Sequence, residues 1–371
     1  MLTTSAAVRL IHRGDRGAAI RDVQSRLLAL GIRIDGAELD GTFGPSTEAG
    51  VRAFQQRRGL PSDGVIGPDT WGQLVEAGYR IGDRTLYLRS PFFRGDDVRE
   101  LQRLLNQLGF DAGREDGILG ERTGGAIVEF QRNVGIEPDG IVGYEVVRAL
   151  ARIRPAAPGP SRAVVREAEA VATMQATLEG SRIALDAGHG PDDPGNVGPS
   201  GITEAEVAVL LASDLADELA VLGAVPSVLR TADETPSSAE RARIANELEA
   251  ALCVSIHMNG GEPTAEGCTC FFYGTEETFS PAGQRLAELV QDSVTRSLGL
   301  KDGRTHRLAV ALLRETRMPA VQVEPCFITN PVEEAIVADA ARRRELAAAI
   351  AAGIAAYFAT KGPRTPARWP A

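Results

Sequence analysis

Two of the chain's four histidines share one setting. In LDAGHG (185–190) the apolar run Ile183-Ala184-Leu185 ends in Asp186 and a glycine turn that presents His189. In ALCVSIHMNG (251–260) a continuous apolar run ends at His257. A buried strand aims a ligand at its carboxyl end rigidly, over a crevice at the sheet edge. Glu204 opens the helical segment after the first loop and supplies a carboxylate oxygen. Two imidazoles, one carboxylate and an open fourth position make the donor set of a catalytic zinc shell. Glu324, in VQVEPCFITN (321–330), ends another apolar run. A glutamate there is costly without a partner or a task. Beside a polarised water it would take a proton and pass it to a leaving nitrogen. Each residue alone has an ordinary reading. The histidines could be hydrogen-bonded structural residues, Glu204 a helix-dipole carboxylate, and Glu324 the partner of an arginine. Glu206 competes with Glu204 for the ligand role. The joint occurrence of all four favours the metal site.

Elements that hold such groups alternate from residue 182 onward. RIALDAG (182–188), VPSVLR (225–230), ALCVSIH (251–257), CTCFFYG (268–274) and AVQVEPCFITN (320–330) read as strands. Helices fall at 203–223 with Thr203 as N-cap, at 237–250 capped by Ser237 or Ser238, and at 281–299 opened by proline. Two more, at about 331–338 and 340–359, close the domain. This alternation predicts an α/β three-layer sandwich around a twisted, mostly parallel sheet. Pro325 removes a ladder N–H from the last strand, which points to a bulge or altered geometry at Glu324. KDGRTHR (301–307), with His306, reads as an exposed loop. His12 has no catalytic setting, and Arg241 and Asn246 read as structural.

The first 150 residues repeat internally. Ile20, Val23, Leu27 and Leu30 match Val98, Leu101, Leu105 and Leu108 at a spacing of 78, each set on one helix face. Beyond them LDGTFG (39–44) matches EDGILG (115–120), and VRAFQQRRGLPSDGVIG (51–67) matches IVEFQRNVGIEPDGIVG (127–143), both at 76. Two residues are therefore missing from a loop of the second unit. Each unit reads as helix, Asp-Gly turn, helix, Asp-Gly turn, short helix. The turns at Gly41, Gly64, Gly117 and Gly140 require positive φ. Phe54 and Phe130 fall on buried faces. Thr70-Trp71 of the first unit becomes Val146-Val147 in the second. The layout is a multidomain chain of two small three-helix bundles, 1–85 and 86–152, a proline-rich linker at 153–180, the α/β domain at 181–360, and a flexible tail at 361–371. AVVREAEAVATMQATLEG (163–180) reads as an amphipathic helix within the linker.

A net charge of −10 argues against a nucleic-acid partner. The longest apolar run, LAAAIAAGIAAYFA (346–359), is too short and alanine-rich to span a bilayer. Cys253, Cys268, Cys270 and Cys326 lie in apolar surroundings and read as buried thiols. A thiolate site at Cys268 and Cys270 would need a second close pair that the sequence lacks. The N-terminus shows no secretory signal, so the expected location is cytoplasmic, or the cell wall or exterior after non-classical export.

Two resemblances follow from these motifs. The paired DG-x-x-G, T-x-x-x-V-x-x-F-Q and DG-x-x-G units at 14–77 and 91–151 resemble the bacterial peptidoglycan-binding domain family. From about 182 to 358 the D-x-GHG run, the Glu204 helix start, Arg230 and Asp233, SIH-x-N and MP-x-V-x-VE-x-x-FITNP resemble zinc-dependent N-acetylmuramoyl-L-alanine amidases of the amidase-3 type. GHGPDDPG departs from the GHGG common in that family. The resemblance implies zinc on His189, Glu204 and His257, and a catalytic carboxylate at Glu324. The implied reaction is hydrolysis of the amide joining N-acetylmuramic acid to L-alanine, in peptidoglycan or muropeptides. The modular order also resembles a group of actinobacterial cytoplasmic proteins that use an amidase fold to regulate peptidoglycan precursor synthesis. On that alternative the partner is a cell-wall synthesis enzyme.

Overall fold

The computed structural model of the chain describes residues 10–36, 39–153, 178–275 and 278–359. Nearly all of the expected linker helix, and the tail from 361, lie outside them. The chain divides into two compact units, Met1–Glu167 and Ala168–Ala371.

The first unit carries two copies of one three-helix motif. α1 (Ala18–Ala29), α2 (Pro45–Arg58) and α3 (Pro68–Glu76) are followed by α4 (Asp96–Gln107), α5 (Glu121–Val134) and α6 (Tyr144–Arg152). α4 starts 78 residues after α1, and α5 and α6 start 76 after α2 and α3, so the shortened loop lies between the first two helices. Val23, Leu27, Phe54 and Leu74 fill one core, and Leu101, Leu105, Ile127 and Phe130 the other. The Asp-Gly turns have φ of 87°, 73°, 80° and 73° at Gly41, Gly64, Gly117 and Gly140.

The repeated glutamines clasp these turns. Gln55 Nε2 donates to Asp63, to the Val65 carbonyl and to Thr70, while its Oε1 accepts the Gly64 N–H. Gln24 and Gln102 hold Gly41 and Gly117 in the same way. Gln131 holds Gly140 and Asp139, with no hydroxyl partner at Val146, where the first repeat has Thr70. Buried amides have to be satisfied, and here one side chain satisfies a whole turn. That accounts for the repeated FQ and DG pairs as structural residues.

The second unit is a six-stranded sheet of order β2-β1-β3-β6-β4-β5. The strands are β1 (Arg182–Ala187), β2 (Val225–Val228), β3 (Leu252–Ile256), β4 (Cys268–Tyr273), β5 (Asp302–Leu308) and β6 (Ala320–Glu324). All neighbouring pairs are parallel except β4 with β6. Apolar residues on alternate positions face two cores. Ile183, Leu185, Val254, Cys268, Cys270 and Val323 pack with α7 (Glu204–Val221), α9 (Pro281–Leu298) and α12 (Ala340–Ala359). Ala184, Cys253 and Tyr273 pack with α8 (Ser238–Glu247) and α10 (Ala311–Glu315). α11 (Pro331–Ala338) joins the first layer. The result is the expected three-layer sandwich.

Three expectations need correction. KDGRTHR is mostly strand β5, the edge of the sheet, and not a loop; an edge strand can be polar because it is solvated on one side. The strand expected over 320–330 stops at Glu324, since Pro325 has no N–H to continue the ladder. No bulge forms at Glu324, which pairs in register with Thr269; the irregularity lies between Cys268 and Cys270. All four cysteines are free and buried, and burial raises the Cys253, Cys270 and Cys326 thiols, which disfavours a thiolate site.

Candidate metal centre

Strand register brings the candidate residues to one edge. Ala187 of β1 pairs with Ile256 of β3, and Ile256 with Val323 of β6. His189, His257 and Glu324 therefore leave three adjacent strands at the same end. The β3–β6 ladder breaks there and resumes at Asn259 and Phe327. In the gap the Met258 N–H donates to Glu204 Oε1, and Asn259 Nδ2 donates to the Glu324 carbonyl.

Two glycines allow the approach. A Cβ on Gly188 would stand 2.4 Å from His257 Cε1, and one on Gly195 would stand 2.6 Å from Glu204 Oε2. His189 itself adopts φ 60°, a left-handed conformation uncommon outside glycine that turns its ring inward. Arg230 ties this turn down, donating to the carbonyls of Ala187, Gly188 and Ala205. Below it the buried Asp186 accepts from Arg241 Nη1 at 2.9 Å and from Ser255 Oγ at 2.6 Å. Arg241 is thus structural, as is Asn246, which bridges the Glu315 carbonyl and the Arg317 N–H.

Glu204 is the first residue of α7. Thr203 and Glu206 form a reciprocal capping box, which commits Glu206 to the helix end and leaves Glu204 pointing inward. Its Oε1 lies 3.1 Å from His189 Nε2 and 2.9 Å from His257 Nδ1. One donor atom from each of the three lies within 4.8 Å of the others. The imidazoles stand edge to face, with centroids 4.9 Å apart. Two nitrogens and one oxygen converging in this way fit a divalent ion of borderline softness. Among the described residues these three form the group.

Outer partners fix each member. His189 Nδ1 lies 2.9 Å from Asp193 Oδ2, so its Nε2 faces the centre. Asn196 donates both its backbone N–H and its Nδ2 to Glu204 Oε2, and Nδ2 also reaches the Met258 carbonyl. Burial opposes charge on Glu204, yet the hydrogen bonds to His189 and His257 hold its carboxyl well below the usual range. Burial likewise opposes charge on His189, but Asp193 and Glu204 outweigh it and raise the imidazole to about 9. Burial pushes the Glu324 carboxyl up, against the pull of nearby His257 and of a 2.7 Å hydrogen bond from Gln322 Nε2.

All four residues expected at a centre thus lie at one edge. His306 is elsewhere, on β5 with Nε2 2.9 Å from the Gly303 carbonyl, and His12 is exposed in the first unit. Sequence reasoning missed Asp193, Asn196, Gln322 and the clamp role of Arg230. The acid in GHGPDDPG was the available signal for Asp193; the other three act through hydrogen bonds that only the fold reveals.

A six-stranded mixed sheet with a His-Glu-His group at its open edge is an α/β layout with a candidate metal site. The sequence profile of N-acetylmuramoyl-L-alanine amidase matches residues 183–356, and that of a peptidoglycan binding domain matches 16–74 and 94–150. N-acetylmuramoyl-L-alanine amidase CwlM of Mycobacterium tuberculosis (strain ATCC 25618 / H37Rv) is 38% identical over 357 residues, covering 92% of this chain and 87% of the relative. N-acetylmuramoyl-L-alanine amidase LytC of Bacillus subtilis (strain 168) is 32% identical over 180 residues, covering 48% of this chain and 36% of the relative. A crystal structure of N-acetylmuramoyl-L-alanine amidase from Clostridium difficile 630 aligns with a TM-score of 0.47 at 28% identity, covering 50% of this chain and 100% of that one. The chain belongs to the N-acetylmuramoyl-L-alanine amidase family and carries two peptidoglycan binding domains.

Proposed function

We propose that the chain hydrolyses the amide between N-acetylmuramic acid and L-alanine in peptidoglycan or its fragments, with zinc held by His189, Glu204 and His257. The convergence of these three donors beside Glu324 carries the reading. When bound, zinc would polarise the scissile carbonyl and make a water acidic enough to attack near neutral pH. The chain's residues do the rest. Asp193 keeps His189 Nε2 turned inward, and Asn196 holds Glu204 Oε2 so that Oε1 faces the imidazoles. Glu324 takes a proton from the attacking water and delivers it to the alanine nitrogen as the C–N bond breaks. The water oxygen stays on the lactyl carbonyl carbon, leaving a carboxylate and a free stem peptide. A regulatory protein would have no need of the complete donor set with its proton carrier, which favours catalysis over the regulatory alternative.

Incubation of zinc-loaded full chain with muropeptides should release free stem peptide. Glu324→Gln should keep its zinc and lose activity by at least about 100-fold, the usual scale for a general acid–base. Undiminished turnover by that variant would remove Glu324 from the mechanism, and no release from any muropeptide would remove the hydrolase reading.

A further inference from the structure

The two repeats of the first unit differ at several aligned positions, and two of these lie beside the second Asp-Gly turn. At the spacing of 76 residues, Glu48 and Arg52 of α2 correspond to Gly124 and Val128 of α5. The bridges Ile11–Ile66 and Leu86–Val142 likewise place Arg13 opposite Leu88. In the first repeat these positions form an ion cluster. Arg52 lies 3.0 Å from Glu48 and donates to the Ser62 carbonyl, and Arg13 lies 3.7 Å from Glu48. The surface between α2 and the Asp63-Gly64 turn is filled by the protein's own side chains.

In the second repeat Leu88 packs over the bare backbone of Gly124, where an added Cβ would stand 3.4 Å from the Leu88 Cβ. Val128 Cγ2 stands beside the turn, 3.4 Å from where a Gly140 Cβ would lie, but unlike Arg52 it carries no group to extend across the surface or bond the turn. An open groove of about 630 Å³ results, walled by Tyr87, Leu88, Val128, Arg132 and the Asp139–Ile141 turn. That volume is in the range of small-ligand sites. Tyr87, Leu88 and Ile141 are 42%, 46% and 41% exposed, large apolar groups gathered on one opening. The Tyr87 ring is braced edge-on by Phe93 at 5.3 Å, so its face is presented in a fixed direction. Asp139 is occupied by Gln131 and the Ile141 N–H. The Arg132 guanidinium has no hydrogen bond or ion pair among the described residues, in a chain whose net charge is −10.

We propose that this groove is the peptidoglycan-binding site of the tandem, taking a stem-bearing N-acetylated sugar, and that the matching surface of the first repeat is closed. The sugar's flat apolar side lies on Tyr87, and a stem-peptide carboxylate meets Arg132, whose planar fork suits that group. The inference rests on the assignment of 94–150 to the peptidoglycan binding domain family, and it is independent of the metal centre.

Co-sedimentation of the full chain with insoluble peptidoglycan tests it, alongside the same material stripped of stem peptides. The wild type should sediment with intact material and less with stripped material. The double variant Gly124→Glu, Val128→Arg writes the first repeat's residues into the groove and should weaken retention at least about tenfold, the scale of one lost anchor contact. Arg132→Glu alters an exposed side chain, and Tyr87→Ala removes a half-exposed ring that meets the core edge-on at Phe93; both should weaken it as well, Arg132→Glu by abolishing the preference for stems. Glu48→Gly, Arg52→Val in the first repeat should leave retention unchanged. Release of stem peptide from soluble muropeptides should be the same in every variant. Full retention by the filled-groove and Tyr87 variants would overturn the site, and equal retention on both materials would overturn the role of Arg132. A wild type that never sediments would overturn the wall-binding reading along with this site, whatever its turnover.

Discussion

Glu324 works against its surroundings. Burial favours its neutral form, whereas accepting a proton requires the charged one, so activity should fall as pH drops through its pKa. Because burial raises that pKa, the fall should lie above the ordinary glutamate value of about 4.3. Gln322 opposes the rise by donating to the carboxylate. Gln322→Leu should therefore move the acid limb of kcat/KM to higher pH; an unmoved limb would mean that another group titrates. Asn196 is a positioning residue for Glu204, the proposed zinc ligand. Asn196→Ala should weaken zinc binding about 10–100-fold in competition with a chelator, the usual effect of losing an outer partner. Unchanged affinity would show that Glu204 needs no such support. His189, His257, Glu204 and Glu324 were legible in the sequence because each stands at the end of an apolar run or the start of a helix. Asn196 and Gln322 were not, because their roles depend on where a turn and a strand face bring them.

At the scale of elements, the centre depends on how β1 and α7 begin and end. The Thr203 capping box sets the first turn of α7 and with it the direction of Glu204. Thr203→Ala should cost about 1 kcal/mol in equilibrium unfolding. A larger loss is expected at the pair beneath the His189 turn. Arg241→Ala leaves Asp186 buried without its cation and should cost about 3–5 kcal/mol, read as a lowered denaturant midpoint. A change under 1 kcal/mol would mean that Ser255 alone suffices. Strands β1, β3 and β4 were legible as apolar runs because helices cover both faces of the sheet. β5 was not, since Asp302–Leu308 lies at the edge and buries fully only Leu308. The end of β6 was misjudged because apolar residues continue past Pro325, as Cys326 and Ile328 are buried in the turn that follows.

Across the whole molecule, duplication was the most legible feature, since the same turn clasp recurs four times with the same glutamine and glycine. What the repeat pattern concealed was the difference between its copies. Val146 for Thr70 costs a hydrogen bond within a clasp, whereas Gly124 and Val128 for Glu48 and Arg52 open a groove on the surface. A sequence comparison weights these alike; only the fold shows that one lies within a clasp and the other lines a surface groove. No helix among the described residues is long and apolar enough to cross a membrane.

Zinc content of the purified full chain, measured by mass spectrometry beside His189→Ala, Glu204→Ala and His257→Ala, tests the centre most directly. About one zinc per wild-type chain is expected, as for a three-ligand catalytic site, with the metal lost from each variant. A wild type that takes up no zinc, or variants that hold it as firmly as the wild type does, would contradict the centre.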